Sequence, residues 1–301
     1  MKKLGLSTGA MQKAFGAIGT LELAAKSGFD AIDLDLEIYG GGSDPIYKSF
    51  DAMEEHFTKI KERAHELGIT VSQTHGRCRT YTPDEKDCVF ARWASERDLY
   101  ATKLLGAPAC VIHNITTGKW GLRSAEFMHE KNAQFIKDIA PFAEKNGVAI
   151  GFETFGDAHV DGKRYIDFFG DSDELWHQYN LVETKNKVIC LDTGHTNKAL
   201  CVAREHGREV LGVADSIRLF GKELKLLHLH DNNSYSDQHL PPRWAGADGA
   251  IDWDATMAAL DAVGYSGVYN FELNLSYFKS VLSDMIPVLG KYLREFLNKY
   301  E

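Results

Sequence analysis

Residues 145–153 read Lys145-Asn146-Gly147-Val148-Ala149-Ile150-Gly151-Phe152-Glu153: a helical pattern closes at a glycine, an apolar run begins at once, and the run stops at a carboxylate. Glycine suits the left-handed conformation that ends a helix, and a continuous apolar run of this length suits a parallel strand covered on both faces. The segment reads as a helix-to-strand joint. The same joint recurs at Ala25-Lys26-Ser27-Gly28 into Phe29-Asp30-Ala31-Ile32, and at Glu66-Leu67-Gly68 into Ile69-Thr70-Val71. It returns at Leu105-Gly106 into Cys110-Val111-Ile112 and at Ala262-Val263-Gly264 into Gly267-Val268-Tyr269-Asn270-Phe271. Runs at Leu4-Gly5-Leu6, Lys187-Val188-Ile189-Cys190-Leu191 and Leu224-Lys225-Leu226-Leu227 complete eight strands alternating with helices.

Eight such units in 301 residues, with no linker-like break, predict one (β/α)₈ barrel domain over residues 1–301. A doubly wound open sheet would carry a glycine-rich phosphate loop after its first strand, and Ser7-Thr8-Gly9-Ala10-Met11 is not one. Gly40-Gly41-Gly42 follows the second strand, lacks the Lys-Ser/Thr of a nucleotide loop, and reads as a flexible turn.

Lys plus Arg number 34 against 43 Asp plus Glu, a net charge of −9, which disfavours nucleic acid and anionic membranes as partners. No apolar run approaches the ~20 residues of a spanning helix, and Met1–Ser7 lacks a signal-peptide segment, so a cytoplasmic chain is expected. The five cysteines, Cys78, Cys88, Cys110, Cys190 and Cys201, are scattered without CxxC spacing. They read as small packed residues rather than as disulfides or thiolate ligands.

What ends the strands is chemical. The apolar runs finish at His75, His113, Glu153, Asp192-Thr193-Gly194-His195, His228-Leu229-His230-Asp231 and Glu272. In a barrel these ends converge on one mouth. Carboxylates and imidazoles gathered there repel or suffer desolvation unless a cation joins them. Oxygen and nitrogen donors without sulfur suit Mn²⁺, Mg²⁺, Co²⁺, Fe²⁺ or Zn²⁺.

Taken as a set, Glu153, Asp192-Thr193-Gly194-His195, His228-Leu229-His230-Asp231 and Glu272 resemble the xylose-isomerase-like barrel superfamily, from the second strand to the eighth. That group holds sugar isomerases and epimerases, inosose dehydratases and zinc-dependent apurinic-site endonucleases. The resemblance implies one divalent ion (Mn, Mg, Co or Zn) on Glu153, Asp192, His228 and Glu272. It further implies that the two glutamates serve as acid and base on a sugar or polyol, through an enediolate next to a carbonyl.

His75, His113, His195, Asp237 and His239 would face the substrate. In the endonucleases the matching positions complete a three-zinc cluster, which makes a phosphodiesterase the alternative and an inosose dehydratase-like lyase another. The net charge, the absence of Pro-Gly after His113 and the lack of basic residues in Tyr39–Asp44 count against the nuclease. His230-Asp231-Asn232-Asn233-Ser234 lacks the Glu and Arg that ketose 3-epimerases carry there. Arg77 and Arg79 are candidates to hold a phosphorylated substrate, and Lys119, Trp120, Arg243 and Trp244 are candidate mouth residues. The apolar stripe from Tyr277 to Leu297 reads as a sealing helix, and a homo-oligomer is expected.

Overall fold

The computed structural model describes residues 1–40, 43–246 and 251–301; Gly41 and Gly42 of the triple-glycine turn lie outside the described residues. Ten strands are present among the described residues. They are β1 Lys3–Ser7, β2 Ala31–Asp35, β3 Thr70–His75, β4 Ala109–Ile112, β5 Ala149–Glu153, β6 Asp157–Val160, β7 Lys163–Ile166, β8 Lys187–Asp192, β9 Leu224–His228 and β10 Val268–Phe271. The α-helices are α1 Gly9–Lys26, α2 Phe50–Glu66, α3 Glu85–Leu105, α4 Thr117–Trp120 and α5 Ala125–Asn146, then α6 Ser172–Leu181, α7 Thr193–Glu205, α8 Val213–Phe220, α9 Trp253–Ala262 and α10 Leu282–Asn298.

Eight strands pair in parallel in the order β10-β1-β2-β3-β4-β5-β8-β9. The ring is drawn shut where Leu229 N–H donates to Asn270 O at 2.8 Å and Glu272 N–H donates to Leu229 O at 3.1 Å. These are the eight strands expected from the apolar runs, in a (β/α)₈ barrel. The joint glycines Gly28, Gly68, Gly106, Gly147 and Gly264 all adopt positive φ, from 65° to 83°, which supports their reading as helix terminators.

Alternation along the strands separates two layers. Cys110, Ile112, Ile150, Phe152, Ile189, Leu191 and Leu227 join the large core shared with the helices, while Ala109, Val111, Cys190 and Leu226 form a separate inner cluster. Space there is short: a Cβ at Gly151 would lie 2.8 Å from Leu226 Cδ1.

Register shifts occur between β2 and β3 and between β8 and β9. Ile32 faces Val71 but Asp33 faces Gln73, and Ile189 faces Leu224 but Cys190 faces Leu226. Each shift leaves one extra residue, Ser72 or Lys225, and resets the phase of its strand. Gln73, His75, Leu226 and His228 therefore share the inward parity of Asp33, Glu153 and Asp192.

A polar hairpin, β6–β7, was not anticipated; it turns through Asp161 and Gly162, both with positive φ. Arg164 Nε bonds Asp157 Oδ2 at 2.6 Å and Lys198 Nζ bonds Asp157 Oδ1 at 2.8 Å, tying the hairpin to α7 at the rim of the mouth. The C-terminal stripe packs as α10, burying Ile286, Leu289, Leu293, Phe296 and Leu297. Among the described residues no helix is long and apolar enough to cross a membrane.

Candidate metal centre at the barrel mouth

Glu153 ends β5, Asp192 ends β8, His228 ends β9, and Glu272 follows β10. One ligand atom from each lies within 4.8 Å of the others. Glu153, Asp192 and His228 are buried and Glu272 is half-buried. His228 Nδ1 contacts Glu153 Oε1 and lies 3.4 Å from Glu272 Oε2.

Its other nitrogen, Nε2, sits 3.0 Å from Asp33 Oδ2. That oxygen also accepts from Gln73 Nε2 at 3.1 Å, Ser7 Oγ at 3.2 Å and Asn270 Nδ2 at 3.3 Å. A carboxylate behind a ligating imidazole fixes its tautomer and ring plane. Here it assigns the proton to Nε2 and leaves Nδ1 facing the carboxylates.

Asp192 is held as firmly. Its Oδ1 caps α7 by accepting from His195 N–H at 2.7 Å, which is why the chain turns from strand to helix at this point. His230 Nε2 lies 2.9 Å from Oδ1. The His230 ring fills the space above Gly194, where any Cβ would overlap it.

The outer histidines are set the same way as one another. His75 Nδ1 donates to Gly76 O at 2.9 Å, His195 Nδ1 to Thr154 O at 3.1 Å, and His239 Nδ1 to Glu272 O at 3.0 Å. A carbonyl only accepts, so Nδ1 carries a proton in each, and each Nε2 is turned toward the other side chains of the mouth. His75 Nε2 lies 3.2 Å from His113 Nε2, which is 3.0 Å from Glu153 Oε2. On the far side Asp237 Oδ2 lies 3.2 Å from His239 Nε2 and 3.6 Å from His195 Nε2. His75–Cys78–His113 and His195–Asp237–His239 therefore form two further groups of converging ligand atoms.

The electrostatics follow from packing five acids and six imidazoles together. Burial alone would raise the Glu153 carboxyl, but His228 and then His113 pull it well below the usual range. Burial would lower His228, yet the surrounding Cys190, Glu272, Glu153 and Asp33 lift it well above an ordinary imidazole. His195 rises to about 10 against its burial through Asp192 and Asp237, and His239 to about 9 through Asp237 and Glu272. Asp192 and Asp237 are pulled down in return.

Three carboxylates and one imidazole converge within 4.8 Å, and of these Glu153 Oε2 is met on its far side by His113 Nε2 at 3.0 Å. A divalent cation fits this donor set, because it would neutralise the converging carboxylates.

Seven of the nine residues singled out from the sequence line one cavity, and the other two, Asp192 and His228, converge on Glu153 and Glu272 of that lining. The cavity has a volume of about 730 Å³ and is lined also by Lys13, Asp35, Glu37, Cys78 and Lys279. Asp35, Glu37 and Cys78 were not anticipated there, nor was Asp33 against His228.

Arg77 does not serve the mouth as expected. It is buried, 2.9 Å from Asp98, with its guanidinium 4.2 Å from the centre of the Tyr47 ring. Arg79 pairs with Glu37 at 3.1 Å, Arg243 with Asp254 at 2.8 Å, and Trp120 Nε1 donates to Tyr81 O at 2.8 Å. Cys78 departs from the reading of the cysteines as packed residues, since it is exposed and faces two histidines.

The model of the xylose isomerase-like TIM barrel family matches residues 21–281, and the chain belongs to that family. Its relatives include an uncharacterized protein, y4fM, of Sinorhizobium fredii, 26% identical over 186 residues, covering 60% of this chain and 51% of that one. The inosose isomerase of Bacillus subtilis is 25% identical over 179 residues, covering 58% of each. The chain thus spans about half the length of the curated relatives it matches. Among solved structures, a D-tagatose 3-epimerase-like protein superposes with a TM-score of 0.72 at 20% identity, over 100% of this chain and 97% of that one. The IOLI protein with a bound zinc atom superposes at 0.73 and 17% identity, over 100% and 99%.

Proposed function

We propose that the protein is a divalent-metal-dependent isomerase or epimerase of a sugar or polyol, working by proton transfer at a carbon next to a carbonyl. The observation that carries this reading is the pair Glu153 and Glu272, two carboxylates flanking one imidazole, His228, in a cavity of a size that suits a monosaccharide. The names of the relatives, an inosose isomerase and a D-tagatose 3-epimerase-like protein, support the same class. An ion held by Glu153, Asp192, His228 and Glu272 would supply Lewis-acid polarisation of the substrate's oxygens.

The chain's own residues do the rest. Glu153, kept ionised by His228 and His113, is the base. Glu272, three strands away around the barrel, is placed to return a proton from the other side. His113, 3.0 Å from Glu153 Oε2, holds that carboxylate in place. Phe155 packs edge-on to His113 and stacks on His195, excluding water beside both. Proton transfer by a positioned group contributes about 10²–10⁴-fold. On a panel of ketoses and inososes the protein should convert at least one member, and Glu153→Gln and Glu272→Gln should each slow conversion by at least ~10²-fold. Sugar binding without turnover by the metal-loaded protein would contradict the proposal.

A second reading, a zinc phosphodiesterase, is favoured by one observation: His75–His113 and His195–Asp237–His239 converge as separate ligand groups. The cavity lining weighs against a polyanion, since Lys13 and Lys279 are its lysines, with no arginine among the lining residues, against Asp35, Glu37, Glu153, Asp237 and Glu272. Metal-dependent cleavage of an abasic-site duplex would reverse this order.

A further inference from the structure

We infer that Asp157, Arg164 and Lys198, none of which lines the mouth cavity, are positioning residues: they hold the loop after β9 so that Asp237 stands in the cavity beside His195 and His239. Their effect on turnover presupposes the proposed function; their effect on the loop does not.

The loop is closed at its neck. Asp231 N–H donates to Leu240 O at 2.7 Å and Leu240 N–H donates to Asp231 O at 2.9 Å. Residues 232–239 therefore leave the barrel and return to it at one point, as an Ω-loop does. The buried Asp231 carboxylate secures the neck by accepting from Arg243 N–H at 2.8 Å and Trp253 Nε1 at 3.1 Å. Beyond it, Ser234 and His239 take φ of 63° and 49°, left-handed conformations that persist in non-glycine residues only where the surroundings impose them. Tyr235, Ser236 and Asp237 are exposed, so apolar burial does not decide where the Asp237 carboxylate stands.

Polar contacts from the hairpin and from α7 decide it. Arg164, on β7, donates through Nε to Asp157 Oδ2 at 2.6 Å and through Nη2 to Ser234 O at 2.8 Å. Its guanidinium also lies 5.7 Å from the centre of the Tyr235 ring. Lys198, on α7, places Nζ 2.8 Å from Asp157 Oδ1 and 3.7 Å from Asp237 Oδ1. The Asp157 side chain, only 6% exposed, thus anchors two cations. One reaches on to the backbone of the loop and the other to its carboxylate. With Oδ1 turned to Lys198, Asp237 presents Oδ2 to His239 Nε2 at 3.2 Å and His195 Nε2 at 3.6 Å. Only a planar fork of donors spans Asp157 and Ser234 O at once; an ammonium on the same stem serves one or the other.

All three residues stand apart from Glu153, Asp192, His228 and Glu272. Loosening them should weaken the hold on substrate and leave proton transfer itself intact.

The test is hydrogen exchange of the full-length protein, read by mass spectrometry on the peptide covering residues 232–240. Its amides report on the loop directly, since Ser234 N–H donates to Asn232 Oδ1 at 3.0 Å and Ser236 N–H to Asn233 Oδ1 at 3.1 Å. In Asp157→Asn and Arg164→Met, exchange there should quicken by at least ~10-fold, the worth of one charge-assisted hydrogen bond, while β5 and β8 keep their protection. Arg164→Lys should fall between these variants and the unmutated protein. Unchanged exchange in both Asp157→Asn and Arg164→Met, or a quickening spread evenly along the chain, would overturn the inference. On a sugar that the unmutated protein converts, Asp157→Asn should raise KM by about 10-fold with little change in kcat; a fall in kcat at constant KM would overturn the positioning role. A loop loosened as expected in a protein that converts no sugar would leave the anchor standing and count against the proposed function alone.

Discussion

Replacing Asp33 by Asn separates the support of a ligand from the ligand itself. Asp33 is fully buried and its Oδ2 gathers His228 Nε2 at 3.0 Å, Gln73 at 3.1 Å, Ser7 at 3.2 Å and Asn270 at 3.3 Å, whereas its Oδ1 has no partner. An amide of the same shape has two ways to sit. If its oxygen stays among the four donors, its NH₂ occupies the Oδ1 position as an unsatisfied buried donor, at a cost of about 1–3 kcal/mol of stability. If it flips, the NH₂ faces His228 Nε2 and drives the ring's proton to Nδ1, the nitrogen that faces Glu153 and Glu272.

In either pose His228 loses the negative partner that makes it a strong donor. Such losses cost about 10–100-fold in metal affinity, or about 1.4–2.8 kcal/mol at 1.4 kcal/mol per tenfold. Competition for zinc or manganese against a fluorescent chelator measures the affinity, and chemical denaturation of the metal-free protein measures the stability. A variant that binds either ion as tightly as the unmutated protein, with unchanged stability, would refute the assignment of Asp33 as the group orienting His228.

Three further outcomes are expected. Arg77→Met strands Asp98 in the interior, and because both side chains are at most 2% exposed the loss should reach about 3–5 kcal/mol in chemical denaturation; a change below 1 kcal/mol would contradict the buried pairing. Gly194→Ala forces a methyl group into the His230 ring and should destabilise by at least about 1–3 kcal/mol, with weaker metal binding as His230 leaves Asp192; an unchanged melting temperature would count against that packing. The metal-free protein carries His195 raised to about 10 and His239 raised to about 9. Folded pKa values above the unfolded ones give a contribution that is complete below about pH 6.5 and disappears as pH climbs through 9 to 10. Melting temperature should fall across that window, and less steeply in Asp237→Asn, while metal affinity rises over the same range as protons leave the ligands. Identical pH profiles for the two proteins would contradict this coupling.

The barrel was legible because its strands are buried on both faces and so appear as unbroken apolar runs, five of them launched from a glycine that the structure shows at positive φ. The four central donors were legible for the opposite reason, as polar residues that interrupt those runs where the strands end. Asp33 and Asp35 escaped because the second run reads as finishing at Ile32, although Asp33 and Asp35 alternate with the buried Leu34 on the same strand. The bulges at Ser72 and Lys225 leave no mark in composition, yet they decide which residues of β3 and β9 face inward.

The β6–β7 hairpin did carry a signal, the Asp161-Gly162 pair between two short polar strands, a two-residue turn that tolerates positive φ. Cys78 was set aside because no second cysteine stands at ligand spacing, but the side chains it faces are histidines, one three residues before it and one just past β4. Nothing in the sequence distinguishes Arg77, locked onto Asp98 behind the barrel mouth, from an arginine that points forward into it.

The central claim is that Glu153 and Glu272 move a proton at a carbon next to a carbonyl. Its most direct test is solvent exchange: the metal-loaded protein is incubated in D₂O with a panel of ketoses and inososes, and deuterium at that carbon is followed by NMR. Incorporation into at least one substrate, lost in Glu153→Gln and in Glu272→Gln while both variants still bind the metal, is the predicted result. Fully loaded protein that exchanges no proton in any member of the panel would contradict it.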